Sequence, residues 1–165
     1  GVCVTCDAET NCGLEEGEWD EEITTIVYED FSNGLPPGWF TDNLGFGNKN
    51  DEFLSSVNAF ENYGQSSITL DYIEVYSLWS VALDMRLDQG ENDPTTLRVF
   101  AEFELKDGTI VRSEHYDVIV NDEWVTYKWN GVERKCVRRV KLVFEGDTQF
   151  QVDDIEIEGK ALTLN

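Results

Sequence analysis

The sequence has few cations, a single histidine and no long apolar run. Lysine and arginine number 12 against 34 aspartates and glutamates, which gives a formal net charge of −22. Binding to a nucleic-acid backbone needs clustered cations, so we expect no nucleic-acid partner. His115 is the sole histidine, which excludes a metal site built from several histidines. No apolar stretch approaches the length of about 20 residues that a membrane-spanning helix needs, so we expect no membrane span.

Enzyme motifs are also missing. Phosphate-binding and dinucleotide-binding glycine loops are absent, as is any Asn-x-Ser/Thr glycosylation site. The run Ser113-Glu114-His115 does not make a catalytic triad by sequence alone. Acidic residues are numerous, but paired acids do not fix the carboxylate separation that a glycosidase needs. We therefore expect a non-catalytic protein and keep a small glycan-active enzyme as an alternative.

What is present is enough apolar material for one folded domain. Hydrophobic residues make up 41% and aromatics 12% of the 165 residues, which argues against global disorder. Residues 1–23 crowd six acids between positions 15 and 22, and such a block repels itself. The sequence therefore predicts an acidic N-terminal arm, 1–23, followed by a folded domain, 24–165.

The cysteines cluster near the N-terminus. Cys3, Cys6 and Cys12 lie in the arm and Cys136 lies far along the chain. Two disulfides would tie the arm to the domain, whereas four thiolates could hold zinc. Zinc sites usually show two close pairs of cysteines, and only Cys3 and Cys6 form one, so we favour disulfides without assigning their pairing. Disulfides imply an exported protein.

The rest of the chain alternates apolar and polar residues in short segments, which predicts β-strands. The strongest hairpin signal is Asp107-Gly108, which joins two alternating runs directly. About eight short strands separated by turns indicate a β-sandwich or jelly roll. The predicted strands are Thr24–Phe31, Ser66–Leu70, Leu78–Leu87, Thr96–Leu105, Thr109–Tyr116, Trp124–Trp129, Arg138–Phe144 and Gln149–Ile157.

The alternation also sorts residues between the two faces of each strand. It predicts that Trp79 and Trp129 lie in the core. It places a set of bases on the outward face, where a ring could stack on sugar carbons and arginines could bind hydroxyls, carboxylates or sulfates. Cross-strand ion pairs with Glu102, Glu104 and Glu114 are the alternative role of these bases. The candidate ligand-binding residues are Arg86, Arg98, Phe100, Arg112, Tyr116, Arg139 and, at the edge of the sandwich, Trp124; Lys141 shares their face.

Acids recur in the first and last predicted strands. In the last strand, Asp153 and Asp154 interrupt the alternation and shift its phase as a β-bulge would. The first strand carries Glu29 and Asp30 before Phe31, then a Gly/Pro turn and Gly38-Trp39. Burying a carboxylate is costly unless a cation or hydrogen-bond donors compensate it.

This bracket of first and last strands resembles jelly-roll β-sandwich modules of the galactose-binding-like and carbohydrate-binding type, together with MAM-like and bacterial surface adhesin domains. The resemblance implies an all-β jelly roll of two antiparallel sheets in which the first and last strands pair. It also implies a structural calcium held by acids from Glu29, Asp30, Asp153 and Asp154, with Asp154 the one that points inward. Capping of a solvated sheet edge is the alternative role of these acids.

Together, these features predict a secreted or cell-surface carbohydrate-binding module with structural calcium. Its partner would be a polysaccharide or another glycan, anionic glycans included. A calcium-dependent adhesion module that binds a protein partner is the alternative.

Overall fold

The computed structural model of the chain describes residues 12, 14, 17–46, 51–56, 65–71, 73, 75–87, 95–129, 134–146 and 149–162. Over this part the chain forms twelve β-strands and no helix. In chain order the strands are β1 Trp19–Glu29, β2 Phe40–Asp42, β3 Leu44–Gly45, β4 Leu54–Ser56, β5 Gln65–Leu70, β6 Val75–Leu87, β7 Thr95–Leu105, β8 Ile110–Arg112, β9 Tyr116–Val120, β10 Val125–Trp129, β11 Arg134–Glu145 and β12 Phe150–Leu162. Among these residues, no helix has the length and apolarity needed to cross a membrane.

The strands form two antiparallel layers. Sheet I has the order β2-β5-β11-β7, and β8 and β9 both pair with the far edge of β7. Sheet II has the order β10-β6-β12, and the other edge of β12 pairs with β4 and then with β1. The start of β11 also pairs with β6, so the two layers are continuous at one corner. The predicted all-β jelly-roll sandwich is confirmed.

The core lies between the layers, as the alternation predicted for most strands. On β7, the residues that enter this core are Leu97, Val99, Ala101 and Phe103, which pack against Leu142 and its neighbours on β11. The Asp107-Gly108 hairpin is also present, since the Gly108 amide donates to the Leu105 carbonyl at 2.9 Å. Here Gly108 has a φ of +91°, a conformation that glycine adopts without strain.

The prediction for Trp79 is wrong. Leu78 and Val81 are both buried in the main core although they are three positions apart, so the two-residue alternation slips between them. The pairing of β6 with β12 shifts register at the same place, between Glu158 and Gly159. Trp79 therefore lies outside the main cluster and is only half-buried. Trp129 is half-buried and packs against the core, as predicted.

The interruption in the last strand is a bulge. Val152 and Ile155 are both fully buried, and the register against β6 shifts between Asp153 and Glu156. The first and last strands pair, with Glu29 opposite Ile155. This bulge brings two adjacent carboxylates to the end of the first strand.

Most predicted strands are present with shifted ends, one is divided in two, and three observed strands were not predicted. The predicted strand Thr109–Tyr116 is divided into β8 and β9 by residues 113–115, and the second part continues to Val120. The strands β2, β3 and β4 were not predicted, because segments of two or three residues are too short to show a period.

The N-terminal segment is attached to the sandwich. Cys12 and Cys136 form a disulfide, so these two cysteines are not thiolate ligands of a zinc site. The strand β1 begins at Trp19, inside the segment 1–23, and the Trp19 ring stacks on Tyr76 with centroids 4.2 Å apart. The two remaining cysteines, Cys3 and Cys6, lie outside the described residues.

Candidate functional site

The outer face of sheet I carries a polar row that crosses five strands. Because cross-strand partners share a face, the register places Phe40 beside Thr69, Thr69 beside Lys141, Lys141 beside Glu102 and Glu102 beside Arg112. With neighbouring strands about 4.8 Å apart, the row is about 19 Å long. A second, shorter row of Arg139, Glu104 and Ile110 lies alongside it.

These two rows form the walls and floor of a shallow groove of about 240 Å³. Phe40 at one side is 52% exposed and Ile110 at the other is 64% exposed. The lining residues are Phe40, Thr69, Glu102, Glu104, Ile110, Arg139 and Lys141. We call this surface the sheet I groove. It joins exposed apolar side chains at both ends to hydrogen-bonding groups between them.

Most cations of the groove are already paired. Arg139 donates from Nε and Nη2 to the two carboxylate oxygens of Asp71, each at 3.1 Å, and Arg112 lies 3.1 Å from Glu102. Lys141 makes no ion pair or hydrogen bond with any residue that the structure describes. The ion pairs expected as the alternative role of this face are present for Glu102 and for Glu104, which lies 2.9 Å from Arg138 and 3.8 Å from Arg139, but Glu114 makes none with a described residue. They leave the ammonium group of Lys141 for a ligand.

Two further predicted residues lie on the outer face of sheet I. Arg98 is near the opposite end of β7, where its Nε is 3.9 Å from Asp117. Phe100 points to this face but is only 5% exposed, and the Arg112 guanidinium lies 4.4 Å above its ring centroid. The predicted exposed stacking ring at position 100 is thus covered by its own neighbour.

Arg86 and Trp124 lie elsewhere. The placement of Arg86 with the other bases is wrong, because β6 belongs to sheet II. The guanidinium of Arg86 is 4.5 Å from the Trp124 ring and 5.2 Å from that of Phe53, and its Nε donates to Gln151. These residues form a compact cluster apart from the sheet I groove.

Tyr116 is also on the other side of its sheet from Arg112. Arg112 pairs with Glu102 on the outer face, whereas Tyr116 pairs with Val99, a core residue. From Arg112 to Tyr116 the edge strand advances four residues, while β7 advances only three, from Glu102 to Val99. The extra residue moves Tyr116 to the opposite face from the one that the sequence alternation predicted.

Phe40 was missed from the sequence, although a signal for it exists. Trp39 packs against the main core and makes an edge contact with Phe31. Since successive side chains in an extended segment point to opposite faces, a Trp39 that packs against the core implies an outward Phe40.

The predicted acidic site is partly assembled. Asp154 accepts a hydrogen bond from the Tyr28 hydroxyl at 3.2 Å, while Glu29 and Asp30 accept from the backbone amides of Phe31 and Ser32. Asp153 lies directly opposite Asp84 in the register of β12 and β6, and Asp84 was not singled out from the sequence. Neither Asp153 nor Asp154 enters the core; both are half-buried in the bulge. Among the residues described, no group of three or more acids, histidines or cysteines has the spacing of a metal site.

The crowding of carboxylates shifts their titration. Burial, together with the nearby charges of Asp154 and Asp84, raises the pKa of Asp153 to about 7. Burial and the hydrogen bond and charge of Asp84 raise the pKa of Asp154. The cluster therefore favours neutralisation, by protons or by a cation.

Comparison with solved structures places the fold among carbohydrate-binding modules and adhesins. The CBM22-1 xylan-binding domain of Xyn10C from Paenibacillus barcinonensis aligns over 81% of this chain and 93% of its own, with a TM-score of 0.58 and 14% identity. The K3 adhesin domain of Lys-gingipain from Porphyromonas gingivalis aligns over 82% and 100%, with a TM-score of 0.59 and 13% identity. A family 29 carbohydrate-binding module aligns over 82% and 90%, with a TM-score of 0.51 and 18% identity. No family model and no curated protein matches the sequence. At these identities the comparison establishes the shared fold, and the fold-level resemblance expected from the sequence is confirmed.

Proposed function

We propose that the protein is a non-catalytic carbohydrate-binding module that binds a polysaccharide chain along the sheet I groove. The observation that carries this proposal is the groove itself, with an exposed aromatic ring at one side and hydrogen-bonding side chains across its floor. Sugar rings stack their C–H faces on aromatic rings and exchange hydroxyl hydrogen bonds with charged and polar side chains. The fold shared with carbohydrate-binding modules supports this function by analogy.

The charge pattern favours a neutral glycan. Arg112 and Arg139 are held by Glu102 and Asp71, so their charges are compensated before any ligand arrives. Among the described residues that line the groove, Lys141 is the one cation without an ion pair, so an anionic glycan would find little compensation on a protein with a net charge of −22. Xylan, which is named for one structural relative, is therefore the first ligand to test.

The proposal includes a structural calcium ion and an extracellular location. Among the described residues, no three acids have the spacing of a preformed metal site, but Asp30 and Asp84 lie near enough to Asp153 and Asp154, where β1 ends and β12 bulges, to add to the rise in their pKa that burial causes. Calcium is bound by oxygen ligands of this kind and would compensate their charge. Support for export comes from the Cys12–Cys136 disulfide, since disulfides persist in oxidising compartments.

The test of glycan binding is affinity electrophoresis and calorimetry against xylan, other neutral polysaccharides and an anionic polysaccharide. We expect Phe40→Ala to lose at least tenfold in affinity, whereas Phe40→Tyr retains it, because the ring face supplies the stacking. Lys141→Ala should weaken binding less and should not change the preference for neutral chains. Unchanged binding in Phe40→Ala would exclude the sheet I groove.

Ile119→Ala is the matched control. Ile119 is 64% exposed and pairs with Thr96, near the opposite end of β7 from the groove. Its truncation removes a similar exposed apolar side chain from the same sheet without touching the groove. Equal losses in Ile119→Ala and Phe40→Ala would indicate non-specific adsorption.

The calcium component has its own test, the melting temperature in calcium and in chelator. A ligand that binds the folded state at a hundredfold excess over its Kd adds about 2.7 kcal/mol of stability. We expect the difference to vanish in Asp154→Asn. No difference in the parent protein would remove calcium from the proposal and leave glycan binding untouched.

A calcium-dependent adhesion module that binds a protein remains the second candidate. It is favoured by the full-length alignment of an adhesin domain on this fold and by Ile23 and Tyr28, which are exposed on the outer strand β1. Calcium-dependent self-association without binding to any polysaccharide would favour this candidate over the first.

A further inference from the structure

The edge of sheet I is interrupted where β8 gives way to β9. Ser113 supplies hydrogen bonds to β7 where the regular strand pairing stops. Its amide donates to the Ala101 carbonyl at 2.8 Å, and its Oγ accepts from the Ala101 amide at 2.9 Å. The same hydroxyl donates to the Glu114 carbonyl at 2.8 Å. The Ala101 amide and carbonyl are thus both hydrogen-bonded where the edge strand bulges opposite Phe100 and Ala101.

A cavity of about 210 Å³ opens beneath this bulge. Five of its lining residues belong to the main core cluster and come from both sheets: Val81, Val99, Ala101, Phe103 and Leu142. The buried Phe100 and the half-buried Ser113 also line it, and the five core side chains form its apolar depth. The cavity therefore enters the sandwich between the layers, whereas the sheet I groove lies on the outer face, so the two sites are distinct.

The mouth of the cavity has a different chemistry from its depth. The rings of Tyr116 and Trp129 lie there with centroids 5.4 Å apart and planes inclined by 30°. Glu114 is exposed beside them, and its carboxylate makes no ion pair with any described residue. The nearby cation Arg112 is engaged by Glu102 and by the ring of Phe100.

We propose that this cavity is a second binding site, for a small ring compound that carries a protonated amine. An apolar cavity of about 150 Å³ in another protein holds benzene, so this volume suits one six-membered ring with a short substituent. The five side chains of the depth offer no hydrogen-bonding group, which disfavours a sugar ring because its hydroxyls would lose their hydrogen bonds to water.

The amine is assigned from the mouth. A carboxylate and two aromatic rings around one entrance suit an ammonium group through a charge-assisted hydrogen bond and cation–π contacts. A net charge of −22 also raises the local concentration of cations and repels anionic ring compounds. The inference does not depend on glycan binding, since it uses none of the residues that line the groove.

The test is calorimetric titration and ligand-observed NMR with four probes. Benzylamine carries both the ring and the charge, benzyl alcohol the ring without the charge, phenylacetate the opposite charge, and ethylamine the charge without the ring. We expect saturable binding of benzylamine, weaker binding of benzyl alcohol, and none of phenylacetate or ethylamine. Equal responses to benzylamine and ethylamine would mean attraction to the acidic surface alone and would overturn the proposal.

Variants place the ligand in the cavity. Ala101→Leu fills the depth and should abolish benzylamine binding, and its melting curve reports whether it folds. Glu114→Gln and Tyr116→Ala change the exposed mouth without affecting the buried core, so they test the site even if Ala101→Leu does not fold. Glu114→Gln should weaken benzylamine binding about tenfold, as loss of one charge-assisted hydrogen bond would, and leave benzyl alcohol unchanged.

Phe40→Ala is the reciprocal control, since it alters the groove and should bind benzylamine as the parent protein does. Unchanged binding in both mouth variants would overturn the assignment to this cavity.

Discussion

The guanidinium group of Arg112 lies 4.4 Å above the ring of Phe100 on the outer face of sheet I. The ring is 5% exposed, while the arginine side chain is 65% exposed. Phe100 therefore contributes to the packing of the sheet, and Arg112 covers it while pairing with Glu102. If Phe100 were truncated, a loss of glycan binding could result from a destabilised sheet as well as from a lost ligand contact. The exposed Phe40 is therefore the better position at which to test the groove.

We expect Phe100→Ala to destabilise the protein by about 3–5 kcal/mol, because it removes a buried aromatic side chain. Arg112→Ala should cost about 1 kcal/mol or less, since an exposed cation–π contact and an exposed ion pair are each weak. Urea unfolding of the two variants and the parent measures both. A similar small cost in both variants would mean that the ring is not part of the packed sheet.

The disulfide between Cys12 and Cys136 should be a major contributor to stability. It closes a loop with a sequence separation of 124 residues, and its two residues pack with Tyr76, Trp19 and Leu162 in a small second cluster. Long closed loops restrict the unfolded chain most, so we expect the double variant Cys12→Ser, Cys136→Ser to lose about 2–5 kcal/mol.

Denaturant unfolding without reductant measures this loss while leaving Cys3 and Cys6 unaltered. Reduction of the parent protein is the less specific comparison, since it affects every disulfide. A loss below about 0.5 kcal/mol would show that the segment before Trp19 contributes little to the fold.

The sequence predicted the elements with a strong period and failed where the period breaks. The alternation in β7 was long enough to place Leu97, Val99, Ala101 and Phe103 correctly. In β6 a register shift near Leu78 placed Trp79 outside the main core, and a local slip of this kind has no compositional sign.

The candidate site was harder to predict because it is assembled from different strands. Sequence parity found Arg112 and Arg139, but it could not show that β6 belongs to the opposite sheet, so Arg86 was misplaced. The acidic cluster was anticipated through the bulge at Asp153 and Asp154, whereas Asp84 joins it through strand pairing alone. Partners that come together only through tertiary register are beyond single-sequence patterns.

Gly159 marks a close approach of β12 to β6. A Cβ atom at this position would overlap the Ser77 carbonyl oxygen and would lie 3.2 Å from the Leu78 Cα. Both obstacles are backbone atoms, so the strands would have to separate, and we expect Gly159→Ala to cost about 1–3 kcal/mol. The comparison variant is Gly146→Ala, whose Cβ would first meet the end of the Leu97 side chain, which can change its torsion angles, instead of backbone atoms. Thermal and urea unfolding should show the larger loss for Gly159→Ala, and the reverse order would contradict the close approach of the two backbones.

The pKa of Asp153, raised to about 7, predicts how stability depends on pH when calcium is chelated. The folded protein keeps this proton where the unfolded chain, with a carboxyl pKa near its ordinary value, has lost it. The stabilising contribution is therefore fully present below about pH 4 and disappears as the pH rises through about 7. Solvent screening limits the effect of this half-buried group to about 1–2 kcal/mol.

Melting curves from pH 4 to pH 8 in chelator should show this decline in stability. Asp153→Asn should reduce the decline, because an amide does not titrate. The amide also keeps the oxygen that accepts a hydrogen bond from the Asp154 backbone amide, so the bulge is retained. Excess calcium should abolish the decline in the parent protein, because the ion compensates the same carboxylate charge. If Asp153→Asn declines as much as the parent protein does in chelator, the titration belongs to another group.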